Sequence, residues 1–126
     1  MLIKWSRGNA PQHVAKHFHL SEMECKCLKC ETQQIESELL QKLDELRDEL
    51  GSAIIIHSGY RCEAHNKSVG GKKNSMHLSG SAADISGKDV TISKLYPLCE
   101  TKFQRIGVAQ TFLHVDLGAN KSRWTY

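Results

Sequence analysis

No stretch of this 126-residue sequence approaches the roughly 18 consecutive apolar residues of a membrane span, and the opening MLIKWSRGNAPQ has no apolar run of signal-peptide length. Those absences argue against membrane insertion and predict synthesis in the cytoplasm. A target beyond the membrane then requires another route, such as a lytic pore, a phage particle or a fused partner. Basic residues never cluster: 17 Lys and Arg stand against 14 Asp and Glu, and the formal charge of +3 is spread along the chain. No nucleic-acid footprint is therefore expected, although the small excess favours approach to an anionic polymer at low salt. Repeats and linker-like tracts are absent too. With 40% hydrophobic and 25% charged residues the composition is neither disordered nor fibrous, and the length suits one domain over residues 1–126, expected to be a monomer.

Cysteine is scarce and odd in number, at five, which argues against a complete disulfide framework. Three thiols crowd into Cys25-Lys-Cys27-Leu-Lys-Cys30. This spacing suits a small metal knuckle, but a structural zinc site takes four ligands. The fourth would come from Cys62, Cys99, His17 or His19; otherwise these are ordinary reduced cysteines in a loop.

Between Thr32 and Leu50, Ile35, Leu39, Leu40, Leu43, Leu46 and Leu50 recur at helical spacing, and Gly51 follows as a stop signal. An amphipathic helix is predicted, followed by a buried β-branched strand over Ala53-Ile-Ile-Ile56. A short helix over 62–69 ends at Gly70-Gly71, and Lys72 to Ser81 reads as loop. Further strands are predicted at 81–86, 105–109 and 112–117. The apolar spacing of Ile92, Leu95 and Cys99 predicts a helix over 91–102, against which Pro97 argues.

Strand alternation carries the functional reading. It places Leu113, Val115 and Leu117 on one face and Phe112, His114 and Asp116 on the other; in 82–85 it sends Asp84 opposite Ala83 and Ile85. Two strands thus offer His114 and Asp84 to a common site, and His77 arrives from the preceding loop. Three such ligands leave a fourth position for water on a catalytic zinc ion. Spacing alone leaves open whether the trio binds metal or is ordinary hydrogen-bonded polar residues.

The wording around the trio is more specific. Ser58-Gly-Tyr-Arg61, Asn66, Gly70-Gly71, Ser75-x-His77-x-x-Gly80-x-Ala82-x-Asp84-Ile85 and His114-Val-Asp116 resemble the zinc D-Ala-D-Ala carboxypeptidases and peptidoglycan endolysins of peptidase M15, most closely their compact M15A-like branch. The resemblance extends to Glu22–Cys30, the leucine helix and Arg123-Trp124. It implies an α+β fold with a small, mostly antiparallel sheet packed against helices, shared with hedgehog-type domains. It also implies one catalytic zinc ion held by His77, Asp84 and His114, with Arg61 facing substrate. Ser75 would orient substrate or His77, or stabilise its turn. Asn66, Gly70, Gly71 and Gly80 would shape the loop around the cleft.

Several relatives carry a glutamate three residues before the last histidine, or a second histidine two before it; here those positions are Thr111 and Phe112. Asp116 is the leading substitute as general base, or else holds His114 by its other ring nitrogen, and His57 is the runner-up, or else a structural strand-end histidine. The arginine often found after the His-x-Asp pair is replaced by Leu117-Gly118. The implied activity is hydrolysis of peptide bonds in bacterial peptidoglycan, as D-Ala-D-Ala carboxypeptidase or as stem or cross-bridge endopeptidase, with a phage-associated role favoured by compactness. The alternative is a zinc-containing wall-binding or phage structural module with impaired catalysis. A hedgehog-like signalling domain is a weaker third reading.

Overall fold

A computed structural model describes all residues, 1–126. The N-terminal strand β1 (Leu2–Ser6) pairs antiparallel with β2 (Thr32–Glu36), setting Ile3 opposite Ile35 and Trp5 opposite Gln33. Helix α1 (Ser37–Leu50) follows directly. Its five leucines at 39, 40, 43, 46 and 50 are buried, and each removes apolar surface worth roughly 1.5–3 kcal/mol. Gly51 ends it in the left-handed conformation, at φ 71°, its N–H bonded to the Arg47 carbonyl.

Five further strands form the main sheet: β3 (Ile54–Ser58), β4 (Ala82–Gly87), β5 (Arg105–Val108), β6 (Leu113–Asp116) and β7 (Ser122–Thr125). Their spatial order is β3-β4-β6-β5-β7, antiparallel except for the parallel β5–β7 pair. Ala83, Ile85, Leu113 and Val115 join the α1 leucines and Leu95 and Cys99 of α3 (Ile92–Glu100) in a core of 20 buried residues. One face of the sheet is therefore committed to packing. The fold is α+β, as expected.

One expectation needs correction, and another is met against a contrary signal. The helix predicted from Thr32 begins at Ser37, because residues 32–36 are captured as a strand by β1; Ile35 satisfies both periodicities, and its cross-strand partner decides. The helix predicted over 91–102 is present as α3 and runs through Pro97 despite the lost hydrogen bond. Both Pro97 and Ser93, whose carbonyl loses that donor, are exposed, so water replaces it.

Candidate metal centre

On the other face of the sheet, Asp84 of β4 lies directly opposite His114 of β6. The loop after α2 (Glu63–Ser68) ends in a 3₁₀ turn, Met76–Ser79, which supplies His77; the Ser75 hydroxyl caps that turn by accepting the His77 N–H at 3.2 Å. Asp84 Oδ1 stands 3.3 Å from His77 Nε2 and 3.1 Å from His114 Nδ1. All three residues are buried, between 2% and 7% exposed.

The outward-facing ring atoms fix the tautomers. His77 Nδ1 lies 2.7 Å from the Gly59 carbonyl, which only accepts, so Nδ1 carries the proton. His114 Nε2 lies 2.7 Å from Asp116 Oδ2, which again takes a proton from the ring. The remaining ring nitrogens, His77 Nε2 and His114 Nδ1, both face a carboxylate oxygen. A proton can bridge each of these pairs, and a metal cation can take the place of those protons, since all three groups offer an electron pair to one point. Their 3.1–3.3 Å separations match donors each about 2.0–2.1 Å from a tetrahedral zinc ion, so the residues fit the metal that the sequence implied.

Electrostatics follow from this crowding. Burial would raise the Asp84 carboxyl, but hydrogen bonds from His114 and His77 and their charge hold it well below the usual carboxylate range. Burial would lower the His114 ring; Asp116 and Asp84 outweigh it and raise it. Asp116, pushed up by burial, ends below its ordinary value because His114, the Gly118 N–H and Arg105 all bind it. Arg61 is braced by Ser58 Oγ (3.0 Å), Asn66 Oδ1 (3.3 Å) and Asp84 Oδ2 (3.0 Å). That leaves two of its five N–H donors for a ligand.

These groups floor a cleft of about 1060 Å³. Arg61, Ser75, His77, Asp84, His114 and Asp116 all line it, whereas the two candidate bases, Asp116 and His57, lie in different settings. Asp116 is only 1% exposed, with its oxygens taken by His114, Arg105 (3.0 and 3.1 Å) and Gly118 N (2.8 Å), the geometry of the alternative in which it holds His114 by its other ring nitrogen. His57 does not reach the cleft. It is exposed, bonded to Ser86 Oγ at 2.7 Å, because Ile54, Ile56 and Ser58 take the inward positions of β3. Thr111 is exposed outside the cleft, and Phe112 forms part of its wall, 5.5 Å from the Tyr126 ring.

Sequence reasoning missed the opposite wall. Arg105 holds Asp116 while its guanidinium lies 5.1 Å from the centre of the Trp124 ring, and that indole packs 5.3 Å from His114. Gly107 permits this, since a Cβ there would come within 2.5 Å of the indole. The signal available was the alternation of Arg105 and Gly107 on one face of β5. Among the cysteines, Cys25, Cys27 and Cys30 meet Cys62; Cys99 sits in the core, His17 binds Asp48, and His19 caps the turn at Leu20–Met23.

Comparison with known proteins agrees with this geometry. No curated protein matches the chain. The model of the family described as Peptidase M15 matches residues 16–116, a span holding all three converging donors together with Arg61, Arg105 and Asp116. The chain belongs to the peptidase M15 family.

Proposed function

We propose that this protein is a zinc-dependent peptidase acting on the peptide portion of bacterial peptidoglycan, as carboxypeptidase or as endopeptidase. The observation that carries the reading is the convergence of His77 Nε2, Asp84 Oδ1 and His114 Nδ1 at the floor of an open cleft. When bound there, zinc lowers the pKa of water and polarises a carbonyl. His77, Asp84 and His114 hold it, while the Gly59 carbonyl and Asp116 keep the two imidazoles turned toward it. Arg61, Lys72 and Arg105 give the cleft a positive rim suited to the carboxylate groups of a stem peptide, and Trp124, Phe112 and Tyr126 add aromatic surface to its lining. The partner on this reading is the wall polymer, met by a monomer after lysis or particle delivery.

One observation favours a second reading. No glutamate lines the cleft, and its only carboxylates and imidazoles are the four already engaged with one another. Without a free base the domain would bind wall peptides without cutting them. Mass spectrometry of muropeptides released from purified sacculi, with Asp84→Ala as control, separates the two. New peptide ends made only by the zinc-loaded parent establish the peptidase. Sacculus binding without new ends, across several wall chemotypes, establishes the binding module.

A further inference from the structure

We propose that Cys25, Cys27, Cys30 and Cys62 hold a second zinc ion, and that this ion pins the segment delivering Arg61 to the cleft. The four sulfurs lie within 4.8 Å of one another, with Cys25 to Cys62 at 3.7 Å and Cys62 to Cys27 at 4.0 Å. Corners of a tetrahedron with zinc–sulfur bonds of about 2.3 Å stand about 3.8 Å apart. All four are free thiols.

The surroundings are built for thiolates. Every sulfur accepts at least one N–H: Cys25 from Cys62 N (3.4 Å), Cys27 from Lys29 N (3.4 Å) and Cys30 N (3.3 Å), Cys62 from His65 N (3.4 Å). Cys30 receives Gln33 Nε2 at 3.2 Å and Arg7 Nη2 at 3.4 Å. Gln33 is fully buried on β2, and its amide oxygen takes the Cys25 N–H at 2.7 Å, so the strand that overrode the helical pattern also braces this cluster. Arg7 is further tied to the Cys25 and Cys30 carbonyls, both at 2.9 Å. A tetrathiolate around a divalent ion carries two net negative charges, which this guanidinium partly offsets.

Cys62 is the only one of the four outside the 25–30 loop, and it follows Arg61 directly. It also caps α2, and two residues earlier Tyr60 N donates to the Met23 carbonyl at 2.9 Å. An ion at the thiols therefore fixes one end of residues 58–62, while Arg61 and the Gly59 carbonyl fix the other on Asp84 and His77. Thiolate ligation needs no hydrolytic activity, so this inference stands or falls apart from the proposed peptidase.

The test counts zinc by native mass spectrometry on the full chain purified under reductant, comparing the parent, a His77→Ala/His114→Ala variant and a Cys27→Ser/Cys62→Ser variant. The histidine variant should keep one zinc, show sulfur-to-cobalt charge-transfer bands when reloaded with Co(II), and lose amide protection over residues 59–68 once that metal is stripped. The cysteine variant should lose one zinc relative to the parent. Should the cysteine variant not fold, X-ray absorption of the parent decides, since a sulfur shell near about 2.3 Å is expected only from this site. A metal-free histidine variant, a parent spectrum without sulfur ligands, or protection unchanged by stripping overturns the proposal.

Discussion

Asp116 shows how much of this site depends on residues that never face a ligand. Its carboxylate sits between His114 and Arg105 and accepts from Gly118 as well. Asp116→Asn preserves shape but removes the charge that orients the imidazole. Zinc affinity should fall by about 10- to 100-fold, read by competition with a chromophoric chelator, while the fold persists. Gly107→Ala should act from the other side of His114, because the new methyl group displaces the Trp124 indole. A red shift in tryptophan emission with zinc still bound is the expected result. Asp84 and His114 were legible in the sequence because alternation along a strand is a local rule. Cys62 was one of four open choices for a fourth ligand, since nothing in the spacing of the 25–30 loop indicates what the fold returns to it from 32 residues further on. Trp124 had no assigned role because its position depends on a gap above Gly107.

At the scale of elements, α1 follows its leucine pattern, whereas β3, expected as a buried run over 53–56, is Ile54–Ser58 with Ile54 and Ile56 inward and Ile55 44% exposed, because a strand with one face to the core alternates. Truncating a fully buried member, Leu43→Ala, should cost about 2–5 kcal/mol, measured as a lower urea midpoint at unchanged slope. The elements the sequence concealed are the short ones held by distant partners. β1 and β2 form only against each other, and β7 is placed by a parallel neighbour, so pairing partners distant in sequence decide all three. The helix expected over 91–102 forms with Pro97 inside it, since an exposed helix face tolerates the bond the proline removes.

For the whole molecule, a metal that binds only the folded chain adds stability set by its concentration. At 100 times the dissociation constant this is about 2.7 kcal/mol, so chelation should lower the melting temperature and added zinc restore it in a dose-dependent manner. The mild positive charge of the chain and the basic rim of the cleft predict that binding to sacculi weakens as salt rises, measurable by co-sedimentation. Residues 58–62 impose a constraint of another kind. Within this short segment Ser58 and Gly59 brace Arg61 and His77, Arg61 holds Asp84, and Cys62 completes the thiol cluster. The segment works as a caliper whose jaws are set by chain length. Inserting one residue there would put both jaws out of register, whereas the exposed Lys73 and Asn74 a few positions on bear no such load. Variation in length among descendants of this sequence should therefore collect in the loop beyond α2 and avoid the five residues before it.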